Sequence, residues 1–393
     1  MEKYSKWRDP GTGIQPFLPI VPPRTVSPVF IALLGPFSLV HSIGRTILLG
    51  IVALLHVILV DGICLVFIPI PPLYRLVSSA LTALTCRLAL VLMGYWWITT
   101  DIYSPKRGKN GVSQISKVSP KKGDLMITNW TSYVDVLYLA FRHNPTFLLP
   151  IFSAESTNLS TTHKGKTGRH TGTGSAQIAS STSLSQPPLI GYQPISLINL
   201  IAKTGSLPST YHELPKVGTY YKTLREARRK EGRPIVIFPE GTTSNGRSIL
   251  RFAEGTLDET DFTGTGNDQG LVWIKYIRHS PPTPFSASAT CPLPNPIKHL
   301  VTSMLYTPTP YPNRSLHIRT LHPSASPSSP SFLPSEILNN APGGLDIAVG
   351  KDHKSVWRES IATVLAETGR IRRTKGMGWV EKGTFLEYWA KRK

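Results

Sequence analysis

The sequence is short of cysteine, of acidic residues and of charge in general. Three cysteines, Cys64, Cys86 and Cys291, occur in 393 residues with no CxxC pair, which excludes a disulfide framework and a cysteine-ligated zinc domain. Aspartate and glutamate number 23 against 43 lysines and arginines, a formal net charge of +20. The partner to expect is therefore anionic: nucleic acid, anionic lipid or a phosphorylated substrate. Nucleic acid is the weakest of these, because the basic residues are spread over tail, loops and helices without a zinc finger, RNP string or helix-turn-helix pattern. Charged residues make up 17% of the chain, below the roughly 25% of an average globular protein. Hydrophobic residues make up 40%, beside 35 prolines and 31 glycines, so apolar segments and polar linkers must be segregated.

That segregation sets the domain plan. Residues 1–28 are proline-rich, carry Lys3, Lys6, Arg8 and Arg24, and lack a signal-peptide layout, so they read as a disordered cytosolic tail. Residues 29–100 form a membrane-anchoring segment with spans at 46–68 and 76–98. The first, TILLGIVALLHVILVDGICLVFI, has 23 residues, enough for a bilayer core of about 30 Å. Pro69, Pro71 and Pro72 break it, and the second span closes on Tyr95, Trp96 and Trp97. Arg24 and Arg45 before the pair, and Lys106, Arg107, Lys109, Lys121 and Lys122 after it, place both ends in the cytosol by the positive-inside rule. Asp61 and Arg87 inside the spans imply paired helices or shallow, re-entrant segments. Two buried helices of a soluble core are the plainer alternative.

From 101 to 393 short β runs alternate with helical stretches, an α/β pattern. The strands expected are 124–128, 146–151, 234–238, 270–277 and 315–321; the helices are 133–142, 195–203, 220–230 and 354–367. Residues 153–188, where 15 of 36 are Ser or Thr, cannot offset their ordering entropy and read as a disordered insertion. Residues 280–296 and 323–334 read as Pro/Ser-rich surface loops.

The segment PIVIFPEGTTSNGRSILRF, Pro234 to Phe252, carries the chemistry. An apolar strand ends in Pro239, Glu240 and Gly241 and enters a polar turn, where a rigid scaffold meets a substrate. Gly241 permits close backbone approach, Thr242, Thr243, Ser244 and Asn245 supply donors, and Arg247 suits a phosphate. An ordinary strand-to-helix turn has the same composition.

The full string FPEGTTSNGR closely resembles the third motif of the phospholipid and glycerol acyltransferase family. That family's first motif is Asn-His, four residues and Asp; here Asn129 to Asp135 reads NWTSYVD. Asn129 and Asp135 fall on family positions, and Trp130 stands where the family has its histidine. The resemblance implies a histidine that deprotonates the acceptor hydroxyl while the aspartate orients the ring. Trp130 cannot accept a proton, so that base, worth about 10² to 10⁴-fold, is lost or comes from elsewhere. Asp135 acting directly or through a water is one source; His143, eight residues on, is another, though a surface role suits it better. Gly205 matches the second motif without its arginine, leaving phosphate contact to Arg247, Lys203, Lys216 or the basic helix around Arg225. LVWIKYI at 271–277 approximates the fourth motif without its proline.

The layout looks most like the fungal lysophosphatidic acid acyltransferases. It implies a glycerol-3-phosphate acyltransferase-like mixed α/β sheet with flanking helices behind a membrane hairpin. The implied activity transfers an acyl group from acyl-CoA, a co-substrate with no other cofactor and no metal, to a lysophospholipid, with lysophosphatidic acid first. The implied partners are those two substrates and membrane lipids, not nucleic acid. The implied location is the endoplasmic reticulum membrane, with the lipid droplet second and the catalytic domain cytosolic. The candidate catalytic residues are Asp135, Trp130 and Asn129; the candidate substrate-binding residues are Glu240, Gly241, Thr242, Thr243, Asn245 and Arg247. The competing reading is a catalytically silent lipid-binding relative that acts in membrane trafficking or vacuolar sorting. The aromatic end GWVEKGTFLEYWAKRK is either a peripheral membrane contact or a docked terminal helix.

Overall fold

The computed structural model describes residues 4–23, 25, 27–104, 119–153, 186–210, 220–258, 262, 270–305, 314–341 and 353–392. The chain runs through α1 (Pro28–His56), α2 (Pro71–Leu92), β1 (Ile98–Tyr103), β2 (Leu125–Thr128), α3 (Tyr133–His143), β3 (Thr146–Phe152), β4 (Leu189–Ile195), α4 (Leu197–Ala202), α5 (Leu224–Lys230) and β5 (Ile235–Ile237). It continues with β6 (Ser248–Ile249), β7 (Val272–His279), α6 (Pro296–Leu305), β8 (Leu316–Leu321), α7 (Pro334–Asn340), α8 (His353–Gly369), β9 (Arg372–Arg373) and α9 (Trp379–Ala390). The result is mixed α/β: a seven-stranded sheet in the order β1-β8-β7-β2-β5-β3-β4 with helices on both faces.

Strands β7, β2, β5 and β3 are parallel, while β4 and β8 run antiparallel to their neighbours β3 and β7. The C-terminal ends of β2, β5 and β7 therefore open on one edge of the sheet, where α/β folds gather their functional loops. Register fixes how far each reaches. Thr128, the last residue of β2, lies opposite Lys275, so β7 runs on by four residues to His279 above the turn that follows β2. One face carries Met126, Trp130, Leu139, Trp273 and Ile277 beneath α2 and α3. The other packs Ile127, Ile237, Ile274 and Tyr276 against Ile361 and Leu365 of α8.

Two stretches, Ala32–Phe67 and Pro71–Leu92, are long and apolar enough to cross a membrane. The first exceeds the expected span: its 36 residues would reach about 54 Å as a regular α-helix. The regular helix gives way at Val57–Gly62 to a wider π turn and then at Ile63–Phe67 to a tighter 3-10 turn, next to Asp61 and Gly62. The second ends at Leu92 rather than at 98, because Gly94 turns left-handed (φ +94°) and lets Tyr95 N–H bond the Leu90 carbonyl, a glycine C-cap. Ile98 then opens β1. Arg45 is not a free flanking charge; it is buried and donates Nε–H to the Leu92 carbonyl at 2.8 Å. Arg87 likewise serves the carbonyls of Tyr95 and Trp96, at 3.2 and 2.8 Å.

Three other expectations need correction. The described part of residues 1–28 is not a loose tail: Trp7 and Phe17 are buried with Phe385 of α9, and Asp9, fully buried, accepts the backbone N–H groups of Lys375 and Gly376. Apolar anchors and a buried carboxylate outweigh the proline content that suggested disorder. The same contacts settle α9 as a docked helix. The loops 280–296 and 323–334 bury Ser288, Thr290, Cys291 and Phe332, so they are packed structure rather than surface linkers. Most of the expected insertion, residues 154–185, and Lys216 of the candidate phosphate ligands lie outside the described residues.

Candidate active site

Asn129, Trp130 and Thr131 follow the last residue of β2, and Ser132 caps α3. The cap is a reciprocal box: Ser132 Oγ accepts Val134 N–H at 3.2 Å while Asp135 Oδ2 accepts Ser132 N–H at 3.0 Å. Oδ2 also takes the N–H and the hydroxyl of Thr131, both at 2.8 Å. A carboxylate at a helix N-terminus with three donors on one oxygen is firmly held. Its second oxygen, Oδ1, lies 2.6 Å from His279 Nε2, and the two side chains are 0% and 4% exposed.

A histidine thus meets Asp135, from the end of β7 and 144 residues away in sequence. Asn129 brings it there. Its side-chain amide donates to the Ile277 carbonyl at 2.9 Å and accepts Ile277 N–H at 2.8 Å, clamping β7 to the β2 turn two residues before His279. Alternation along a strand puts Lys275, Ile277 and His279 on one face, the face that carries α3. In the tautomer that donates Nε2–H to Asp135 the lone pair lies on Nδ1, and that atom is buried without a hydrogen-bond partner.

Trp130, expected near the chemistry, is a core residue. It is 1% exposed and stacks on Phe238 with centroids 5.0 Å apart; its indole N–H has no partner. Its backbone N–H donates to Glu240 Oε1 at 3.2 Å, and Leu250 N–H donates to Oε2 at 2.9 Å. Glu240 therefore ties the motif-one turn to both ends of the motif-three loop. Burial pushes its carboxyl up to about 8, against the pull of those two N–H donors.

The rest of the FPEGTTSNGR loop is spent on the chain itself. Gly241 adopts φ +68°, a conformation side chains resist, with Trp379 of α9 packed over it. Thr242 and Thr243 donate their hydroxyls to the carbonyls of Ser206 and Cys291, each at 2.7 Å. Both hydroxyls in turn accept from Lys382 Nζ, at 2.8 and 3.3 Å, which also donates to the Thr243 carbonyl at 2.8 Å. The Asn245 amide holds the carbonyls of Gln15 and Leu18, at 2.8 and 2.9 Å. The side chains of Thr242, Thr243 and Asn245 are thereby engaged in internal bonds to Ser206, Cys291, Lys382, Gln15 and Leu18. Arg247 is the exposed residue of the loop, and its guanidinium pairs with no carboxylate among the described residues. It stands beside Gly246, whose missing Cβ would fall 3.5 Å from Thr131, the residue that holds Asp135.

His143 does not join the site. It ends α3, about 12 Å along the helix from Asp135, and its Nε2 meets Lys275 Nζ at 2.8 Å. Burial, then Lys275 and Arg142, drive its imidazole down to about 2, so it serves as a neutral acceptor for a buried lysine. Gly205 turns at φ +89° where a Cβ would strike the Leu293 carbonyl, a packing role. Lys382 and His279 are the two contributors that sequence reasoning missed. Lys382 is fully buried, and burial lowers its ammonium to about 7.

No family model matches the chain, and no solved structure matches it. Over 302 residues, 75% of this chain and 77% of the relative, it is 25% identical to a Schizosaccharomyces pombe protein named "Putative lysophosphatidic acid:oleoyl-CoA acyltransferase".

Proposed function

We propose that the protein is an acyl-CoA-dependent acyltransferase that moves a fatty acyl group to a lysophospholipid, with lysophosphatidic acid as acceptor and phosphatidic acid as product. The observation that carries this reading is the Asp135–His279 pair, 2.6 Å apart with His279 Nδ1 unpartnered. It supplies the base that Trp130 cannot. The name of the fission-yeast relative and the FPEGTTSNGR string support the same chemistry, and the seven-stranded mixed sheet is read as the glycerol-3-phosphate acyltransferase-like fold. Asp135 orients the ring through Nε2–H and stabilises the imidazolium that forms. Nδ1 takes the acceptor hydroxyl's proton as the oxygen attacks the thioester carbonyl carbon. The carbon–sulfur bond breaks, coenzyme A leaves as thiolate, and the thiolate recovers the proton from His279. Arg247 meets the acceptor phosphate at the rim, while Asn129, Trp130, Glu240, Gly241, Thr242, Thr243 and Asn245 hold the two loops in place.

In this reading α1 and α2 form a hairpin in the endoplasmic reticulum membrane, with the lipid droplet as a second location and the sheet domain on the cytosolic side. The hairpin places the acceptor lipid beside the loops at the sheet edge. The test is an acceptor survey: membranes containing the protein are given oleoyl-CoA with lysophosphatidic acid, lysophosphatidylcholine or glycerol 3-phosphate, and thiol release and labelled product are measured. Protein-dependent transfer to lysophosphatidic acid is expected. Silence with every acceptor would contradict the reading.

One observation favours the silent lipid-binding relative: His279 and Asp135 are closed off from water, and they line neither the cavity beside Gln186 and Tyr192 nor the one beside His56 and Arg233. That alternative expects lysophosphatidic acid to raise the melting temperature without any turnover.

A further inference from the structure

The first residues after the membrane hairpin reach the same site. Tyr95 follows the glycine cap of α2 and is 0% exposed, with its ring set edge-on to that of His279, centroids 6.3 Å apart. Its backbone is held from two sides: Arg87 donates to the Tyr95 carbonyl, and Arg314 donates to the carbonyls of Met93 and Gly94. The Tyr95 hydroxyl is buried, with the Arg314 guanidinium beside its oxygen and no acceptor for its proton. Such a group costs about 1–3 kcal/mol if it serves nothing. A buried acceptor without a donor and a buried hydroxyl without an acceptor therefore sit on neighbouring rings.

The electrostatics define the donor. Burial drives the Tyr95 hydroxyl up to about 12, the Arg314 guanidinium pulls against that rise, and the Asp135 carboxylate adds to it. Tyr95 keeps its proton at neutral pH and cannot act as a base. Arg314 is itself 4% exposed; beside the Tyr95 hydroxyl, its guanidinium donates to hydroxyls and carbonyls of Ser286, Ser303 and Met93, and it pairs with no carboxylate among the described residues. The hydroxyl therefore lies in the field of a buried, uncancelled positive charge.

We infer that Tyr95 is a catalytic residue, donating its O–H to the thioester carbonyl oxygen as that oxygen gains negative charge, with Arg314 a positioning residue whose charge strengthens the donor. The inference rests on the acyl-transfer reading above. When the acceptor oxygen adds to the carbonyl carbon, the carbonyl π pair moves to oxygen and is held by the Tyr95 O–H. The pair returns as the carbon–sulfur bond breaks, and the Tyr95 proton stays on Tyr95 throughout, because His279 carries the one transferred to thiolate. A preformed donor in a water-excluded site is worth about 10² to 10³-fold in kcat. The active site is then completed by the membrane hairpin and is not a property of the sheet domain alone.

The experiment is oleoyl transfer to lysophosphatidic acid by the full-length protein in membranes, comparing wild type, Tyr95→Phe and His279→Ala, with melting temperatures of the same proteins in micelles. Tyr95→Phe keeps the ring and its edge contact and removes a buried hydroxyl whose proton has no acceptor, while Arg314 keeps its bonds to Ser286, Ser303 and Met93, so its melting temperature is expected to hold. Its kcat is expected to fall about 10² to 10³-fold at unchanged KM. Wild-type activity with an unchanged kcat in Tyr95→Phe overturns the role of Tyr95 and leaves the acyl-transfer reading standing. A kcat that falls only in step with a lower melting temperature makes Tyr95 structural and overturns it as well. Silence of the wild type with every acceptor overturns the acyl-transfer reading and this inference with it.

Discussion

Lys382 offers a perturbation whose size follows from its surroundings. Its ammonium is fully buried and lowered from 10.5 to about 7, so between those values the unfolded chain holds a proton that the folded chain has released. Stability from this group is present above pH 10.5 and is lost as pH falls toward 7. Inside that window stability rises with pH, so the step from pH 7.5 to 9.5 adds on the order of 2–3 kcal/mol to the wild type. Lys382→Met keeps the volume and removes both the titration and the two hydrogen bonds that a neutral amine can donate among its three acceptors, each worth about 1 kcal/mol net. At pH 7.5 the lost bonds and the relieved burial offset each other, and the two proteins are expected to melt within a few degrees. At pH 9.5 the wild type is expected to pull ahead by a further 2–3 kcal/mol, on the order of several degrees. Glu240 titrates in both proteins and largely cancels in the difference. Scanning fluorimetry in micelles at the two pH values reads this directly. A difference that stays constant or shrinks as pH rises would refute a buried, deprotonating Lys382.

Asn129→Ala removes both clamps on Ile277 and leaves two buried backbone groups unpaired, so a loss of about 2–4 kcal/mol and a fall in kcat beyond what the lower stability explains are expected, checked by denaturant titration beside the transfer assay. Arg247→Ala is exposed and should leave the melting temperature within about 1 °C, while raising KM for lysophosphatidic acid and not for oleoyl-CoA. Phe385→Ala, at the centre of the contact between the two chain ends, should cost about 3–5 kcal/mol and release residues 4–18 to limited proteolysis.

Much of the sheet was legible because its strands are compact β-branched or apolar runs. The five strands expected at 124–128, 146–151, 234–238, 270–277 and 315–321 all appear, shifted by at most two residues at any end. β1 was not legible: ITTDIY follows an apolar helix so closely that hydropathy merged them. β4 was lost beside the Ser/Thr-rich stretch. Asn129, Asp135 and Glu240 stood out through their motifs, but motifs name neighbours in sequence only. His279 reaches Asp135 through parallel register and the Asn129 clamp, neither of which leaves a spacing signal. Lys382 looked like one more basic residue in an aromatic terminal helix; only its docking shows it buried against Thr242 and Thr243. The proline-rich beginning masked Trp7 and Phe17, whose apolar bulk decides the packing.

In the proposed reaction His279, paired with Asp135, is the base of the acyl transfer. The direct measurement is labelled oleoyl transfer from oleoyl-CoA to lysophosphatidic acid by membranes containing equal amounts of wild type, His279→Ala, Asp135→Asn and Trp130→His. Wild-type activity is expected to fall about 10² to 10⁴-fold in the first two variants, with Trp130→His giving no gain because position 130 packs on Phe238. Full activity in His279→Ala, or a silent wild type restored by Trp130→His, would contradict it.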